Sequence, residues 1–165
     1  MKQLYCPWRE HYSADDGRSK QPDATKDECV FCAQFQSSED DNHLIIKRYD
    51  HCVVMLNKYP YNAGHLLILP IEHCSDLELL STATRNELME LTSKAVRIVR
   101  EQIGAQGANI GLNVGKIAGA GIPSHLHMHV VPRYAGDTNF MVIIGETKTV
   151  SFDLKKMLEK LRPHF

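Results

Sequence analysis

The chain has 165 residues, 43% of them hydrophobic, which suits one domain with a buried core and leaves too little for a second folding unit. A formal net charge of −1 at pH 7 gives no broad attraction for a nucleic acid polymer or an anionic membrane, so any phosphate must be bound locally. The first ten residues lack the apolar run of a signal peptide, nothing later approaches a membrane span, and five cysteines, an odd number, argue against a disulfide framework; a soluble, cytoplasmic protein with reduced or metal-bound thiols is predicted.

Ser13 to Glu28 is polar, with Asp15-Asp16-Gly17-Arg18-Ser19 and Gln21-Pro22-Asp23, and offers almost nothing to bury; a flexible loop is predicted. Cys29-Val30-Phe31-Cys32 follows, and a second polar break, Gln36 to Asn42, separates it from Leu44-Ile45-Ile46. Cys52 to Leu56 is the next strand, joined to the first near Tyr49-Asp50. The turn Asn57 to Gly64, carrying Pro60 and Asn62, leads into Leu66-Leu67-Ile68-Leu69, which Pro70 ends. These three strands read as an antiparallel meander. From Thr82 to Ile103 the period changes: Leu88, Leu91, Ala95, Ile98 or Val99, and Ile103 recur at helical spacing, with Arg85, Glu87, Lys94, Arg97 and Arg100 for the wet side. Gly104 to Gly107 stops this helix, and Asn109 to Gly115 alternates as a strand. A last amphipathic helix is predicted from Phe152 to Leu161, with Leu154, Met157, Leu158 and Leu161 as its buried stripe. The sum is an α+β fold, an antiparallel meander sheet packed with one long helix and a short C-terminal one.

Ser124 to Arg133 reads Ser-His-Leu-His-Met-His-Val-Val-Pro-Arg. In a strand, His125, His127 and His129 would share one face while Leu126, Met128 and Val130 took the other. On a helix that spacing scatters them, and the apolar spacers and two valines favour the strand. Taken alone, such a face could be wet, could hold a metal, or could act as a nucleophile. The loop before it, Asn113 to Pro123, is rich in glycine; Gly119 and Gly121 let backbone N–H groups converge on an anion, and Lys116 adds a point charge. A neutral imidazole beside such a cradle can attack phosphorus and form a phosphoramidate, splitting one transfer into two steps. His127, with a neighbour on either side, is best placed for this. The upstream Cys-X-X-Cys could be a redox pair, two zinc-binding thiolates or two buried thiols, and no thioredoxin-like βαβ pattern accompanies it.

Three alternating histidines followed by apolar residues, with Leu56-Asn57 and Gly64-His65-Leu66-Leu67-Ile68-Leu69-Pro70 upstream, resemble the histidine triad superfamily over about Cys29 to Asn139. Asn57-Lys58-Tyr59-Pro60-Tyr61-Asn62, Val130-Val131-Pro132-Arg133 and Gly136-Asp137-Thr138-Asn139-Phe140 are most similar to its branch containing bacterial diadenosine tetraphosphate phosphorylases, as are Pro7-Trp8-Arg9 and Tyr12. Carried over by position, the resemblance implies that His127 attacks the α-phosphate to give a nucleotidyl-histidine, its other ring nitrogen held by a backbone carbonyl. His129 would then contact the phosphate or bridging oxygen and help the leaving group depart, a role suited to a group titrating near neutrality. Asn57 matches the position that binds ribose hydroxyls, and Asn113 the one near the phosphates. Gly121 stands where many hydrolases of the family carry glutamine, which leaves water and phosphate both open as acceptor. Some members complete a zinc site with a histidine just after the strand that ends in proline and with the first histidine of the triad. Those positions correspond to His73 and His125 here, which with Cys29 and Cys32 would give two cysteine and two histidine ligands. Such a zinc would be structural, anchoring the strand about 7 Å from the nucleophile at roughly 3.3 Å per residue. A homodimer is implied as well, and no organic cofactor.

The expected function is therefore a nucleotidyl transferase or hydrolase cleaving dinucleoside polyphosphates, diadenosine tetraphosphate in particular, with phosphorolysis favoured by the branch likeness. Hydrolysis of nucleoside phosphoramidates is an alternative. So are a metal-dependent hydrolase built on the three histidines, although the carboxylate expected soon after a His-X-His pair is absent, and a nucleotide-binding scaffold. Among the remaining residues, His65 is expected to pack or hydrogen-bond at its strand start, and His11, His43, His51 and His164 to lie at the surface. Cys6, Cys52 and Cys74 are expected to be small buried residues, and Asp137 and Asn139 to shape the pocket.

Overall fold

In a computed structural model, the described residues are 25–139, 142, 144, 145, 148 and 152–165. The predicted loop Ser13 to Glu28 lies outside them except for 25–28, a turn in which the Glu28 carboxylate accepts the Thr25 N–H at 3.1 Å. Cys6, Pro7-Trp8-Arg9, His11 and Tyr12 also fall outside.

Five antiparallel strands form one sheet: β1 (Ile45–Arg48), β2 (Cys52–Leu56), β3 (Leu66–Pro70), β4 (Gly107–Leu112) and β5 (Met128–Arg133), in the spatial order β1-β2-β3-β5-β4. The predicted meander holds for the first three strands. The triad strand β5 then inserts between β3 and β4, and β4 becomes an edge. β4 also begins and ends earlier than its alternation suggested, because its pairing with β5 runs from Gly107 opposite Arg133 to Leu112 opposite Met128.

Three helices with described bounds flank the sheet. The long α2 (Thr82–Ile103) has the predicted bounds: the Ser81 hydroxyl accepts the Thr84 N–H at 3.0 Å, and Gly104 closes the other end. Its buried stripe, Leu88, Leu91, Ala95, Ile98 and Val99, also takes in Thr84 and Thr92, whose hydroxyls find Glu72 at 3.0 Å and the Leu88 carbonyl at 2.7 Å. Lys94, expected on the wet side, is half-buried and reaches the Tyr49 hydroxyl at 3.3 Å. α3 (Leu154–Leu161) starts at Asp153, whose carboxylate accepts two backbone N–H groups, and buries Leu158 and Leu161. The short α1 (Val30–Gln36) was not evident in the sequence and begins inside the Cys-X-X-Cys motif.

Every residue of β2 and β3 is buried, since both faces of the sheet are covered. Alternation still sorts them. Cys52, Val54, Leu56, Leu66, Ile68, Met128 and Val130 pack with α2 and α3. Val53, Met55, Leu67 and Leu69 pack on the other side with Cys29, Phe31 and Cys32. His129 pairs directly with Leu67, so it projects from that second face. No described helix is long and apolar enough to cross a membrane.

Candidate functional site

The second face of the sheet carries a cavity of about 480 Å³, a size typical of small-molecule sites. Phe31, Met55 and Leu67 supply apolar wall, while Asn57, Asn113, Gly119, Gly121, His127 and His129 also line it. All six predicted substrate-side residues thus meet in one place. Gly119 has φ +91°, a left-handed conformation that glycine takes without strain; at Gly121 the backbone is ordinary and an added Cβ would meet nothing within 4 Å. Lys116 sits exposed on the loop and is not part of the cavity lining.

Only His129 lies within β5 proper; His125 sits in a bend and His127 just before the strand, held where the Leu126 N–H donates to the Cys74 carbonyl at 2.6 Å. The neighbours of each ring fix its tautomer. Burial pushes all three below the ordinary histidine range, His125 and His129 to about 4, so the rings are neutral at pH 7. A neutral imidazole has one N–H and one lone pair. His127 Nδ1 is 2.8 Å from the His125 carbonyl, which can only accept, so Nδ1 carries the proton and Nε2 keeps its lone pair. His125 Nε2 is 2.9 Å from the Pro70 carbonyl, so there the lone pair is on Nδ1.

A fourth histidine sets the tautomer of the third. His65, fully buried, accepts the Tyr61 N–H on Nδ1 at 3.1 Å, and burial foremost lowers its pKa to about 3. Its Nε2 must carry the proton and donate to His129 Nδ1, 2.9 Å away. The remaining His129 proton is therefore on Nε2, which is buried and has no hydrogen-bond partner in a ring that lines the cavity. This is an orphaned donor in a ring that walls a ligand-sized space. Gln34 Oε1, also at the cavity, is a buried acceptor without a partner. A buried polar atom left alone costs about 1–3 kcal/mol, so both atoms suit contact with a ligand. His129 was expected to titrate near neutrality; its burial instead holds it neutral, fit to donate a hydrogen bond.

Behind the cavity, Cys29, Cys32, His73 and His125 bring their ligand atoms within 4.8 Å of one another. His125 Nδ1, the lone-pair nitrogen, lies 3.4 Å from Cys29 Sγ and 3.5 Å from Cys32 Sγ, and His73 Nδ1 is 3.4 Å from Cys32 Sγ. Two sulfurs and two imidazoles, three of the four residues buried, suit a closed tetrahedral zinc site. His125 presents the correct tautomer, its other nitrogen fixed by Pro70, as an outer-shell partner would fix a metal ligand. Phe31, between the two cysteines, contacts the His127 ring at 5.6 Å between centroids and couples this cluster to the cavity.

Several expectations are redrawn. His43 is half-buried and lines the cavity, whereas His51 and His164 are exposed. Cys52 is buried, and Cys74 is half-buried with its thiol 3.1 Å from the Asp76 carbonyl. Asp137 does not line the cavity. Its carboxylate accepts from Arg133 at 2.6 Å and Asn62 at 2.8 Å, fastening the β2–β3 turn to the end of β5, and the Arg133 guanidinium holds it well below the usual carboxylate range. Asn139 is exposed. Tyr61 and Phe31 lie inside motifs whose other residues drew the assignment, and Gln34 lies in none. His65 could have been placed by parity, two residues from Leu67 on the same strand face.

Comparison with known proteins agrees with this geometry. The HIT domain model matches residues 37–136. An AP-4-A phosphorylase of Mycobacterium tuberculosis is 36% identical over 150 residues, covering 91% of this chain and 77% of that protein. Among solved structures, a Zn-bound histidine triad family protein from Mycobacterium smegmatis superposes with a TM-score of 0.67 at 27% identity, covering 85% of this chain and 94% of that one. A Hit-like protein from Bartonella henselae shares the fold with a TM-score of 0.68 at 19% identity, over 86% of this chain and all of its own. The histidine-bearing strand, the sheet that presents it and these matches establish that the chain belongs to the HIT domain family.

Proposed function

We propose that the protein cleaves dinucleoside polyphosphates, with diadenosine tetraphosphate as the reference substrate, through a nucleotidyl group carried on His127. The observation that carries this reading is the pairing of a lone pair on His127 Nε2 with an orphaned donor on His129 Nε2 in one cavity. His127 Nε2 attacks the α-phosphorus, forming a P–N bond as the bond to the bridging oxygen breaks. The leaving polyphosphate oxygen takes the electron pair and accepts a hydrogen bond from His129 Nε2–H. The ring, now bearing positive charge, keeps its Nδ1–H on the His125 carbonyl. In the second step an acceptor oxygen attacks phosphorus and Nε2 leaves with its electron pair, restoring the neutral ring. With phosphate as acceptor the products are ATP and ADP; with water, AMP replaces ADP and the proton of the attacking water passes to solvent. The M. tuberculosis relative, named as a phosphorylase, supports phosphate.

Asn57 and Asn113 are read as contacts to ribose and phosphates, and Gly119 and Gly121 as backbone donors to the phosphate. Cys29, Cys32, His73 and His125 are read as ligands of one structural zinc, which would hold the strand that positions His127 and take no part in bond making. That the lone-pair nitrogen of His125 lies against the two cysteines, in a cluster with neither His127 nor His129, argues against one catalytic metal shared by all three histidines. The β4 edge, with Ile110 51% exposed, supports the implied homodimer, which light scattering checks.

Quenching the enzyme with diadenosine tetraphosphate in base should give a protein one adenylyl group heavier, and His127→Ala should give none. Product analysis with and without added phosphate then identifies the acceptor. Turnover without any adduct would overturn the covalent reading, and ADP yield independent of phosphate would overturn phosphorolysis.

A further inference from the structure

We propose that Lys58, Tyr59 and Tyr61 form a second subsite, on the rim of the cavity, that holds the departing nucleoside of a dinucleoside polyphosphate. This rests on the nucleotidyl-transfer reading above. The rings of the two reacting histidines have different neighbours. His127 lies against buried Phe31, at 5.6 Å between centroids, whereas His129 lies nearly parallel to Tyr61, at 5.9 Å and 19°. The transferred nucleotide therefore sits on the buried apolar side, and the leaving group departs past His129 toward Tyr61. Lys58, Tyr59 and Tyr61 line the same cavity of about 480 Å³ and the two tyrosines are its solvent-exposed part, so the second half of a dinucleotide meets them on its way out.

That rim is built for it. Tyr59 is 66% exposed and Tyr61 46%, two large aromatic rings on one short turn at the cavity. Lys58 brings its ammonium to 6.0 Å from the centre of the Tyr59 ring, a local cation for the polyphosphate in a chain whose net charge is −1. The turn is held in place before any ligand arrives. Asn57 Oδ1 accepts the Tyr59 N–H at 2.9 Å, the Tyr61 N–H donates to His65 at 3.1 Å, and the Asn62 amide donates to the Pro132 carbonyl at 2.9 Å. Rings fixed on an ordered backbone lose little entropy on binding, and an aromatic face stacks on any base. Tyr59 is assigned as the stacking platform, Lys58 as the polyphosphate contact, and Tyr61 as the bridge to His129.

The test compares a substrate with two nucleosides, diadenosine tetraphosphate, against one with a single nucleoside, adenosine 5′-phosphoramidate. Tyr59→Ala should lower kcat/KM for the dinucleotide about ten-fold more than for the phosphoramidate, the scale of one lost base stack, and Tyr59→Phe should restore most of it. Equal losses on both substrates, or no loss on the dinucleotide, would overturn the subsite. Calorimetry on His127→Ala separates this from the chemistry: diadenosine tetraphosphate should bind more tightly than AMP, and adding Tyr59→Ala should collapse that ratio. A collapse with no adduct ever found on His127 in the wild type would sink the transfer reading and keep the subsite. A ratio unmoved by Tyr59→Ala would sink the subsite alone.

Discussion

His65 touches no reacting atom in the proposed chemistry, yet it decides which nitrogen of His129 holds a proton, because its own Nδ1 is taken by the Tyr61 N–H. Replacing it with leucine removes that constraint and lets the His129 proton sit on the wrong side of the ring. His65→Leu should lower kcat about 10- to 100-fold with KM changed little, as expected for a lost outer-shell partner. His65→Gln, which can still donate to His129 Nδ1, should recover part of it. A rise in KM at constant kcat would instead make His65 a wall of the pocket. Acid stability gives a second readout. Burial lowers His65 from 6.5 to about 3 and His129 from 6.5 to about 4, so between those values and 6.5 the unfolded chain binds protons that the folded chain refuses. Stability from these groups is complete above 6.5 and falls as pH drops below it, by up to about 1.4 kcal/mol per pH unit for a buried histidine. Urea unfolding from pH 7.5 down to 5 should therefore show a shallower loss in His65→Gln than in the wild type. The sequence exposed the alternation of the triad but not this link, since the pairing of His65 with His129 depends on which strand lies beside β3.

At the scale of elements, what was legible followed from length and end signals. α2 spans 22 residues with a serine cap and a terminal glycine, so its period and both bounds could be read. α1 has seven residues, under two turns, too short for a period to show, and it is held by what its motif packs against. Strand order was not legible either: β4 and β5 are adjacent in the chain, but nothing local places β5 against β3. The two zinc-ligand cysteines read above sit at the start of α1, so metal and helix should fail together. Elemental analysis should return one zinc per chain, and Cys32→Ser should release it and lower Tm by several degrees, about 2–4 °C for each kcal/mol lost. Because Phe31 lies between the cysteines and faces His127, the same variant should raise KM for the nucleotide. His127→Ala should keep its zinc. Full zinc content in Cys32→Ser, or an unchanged Tm after its loss, would contradict a structural metal at this position.

Across the whole molecule the sheet divides two tasks between its faces. One face, through Val54, Leu66, Ile68 and Val130, is covered by α2 and α3, and Ile98, 2% exposed within that core, is not part of the cavity lining. The other face carries His129 opposite Leu67, with Met55 opposite Leu67 on its other side. Met55 is 4% exposed and lines the cavity, so it serves both packing and binding. Truncating either side chain to alanine removes buried methylenes and should destabilise by about 2–5 kcal/mol. Kinetics should then separate them. Ile98→Ala, assayed well below its melting temperature, should keep the wild-type KM and kcat, since the strands between it and the site are rigidly paired. Met55→Ala should lose a comparable amount of stability and also raise KM several-fold, because the cavity loses part of the apolar wall against which the nucleotide packs. Thermal unfolding and steady-state kinetics on the two variants decide it: a KM shift in Ile98→Ala as large as that in Met55→Ala would mean that the sheet transmits strain between its faces and does not insulate one from the other.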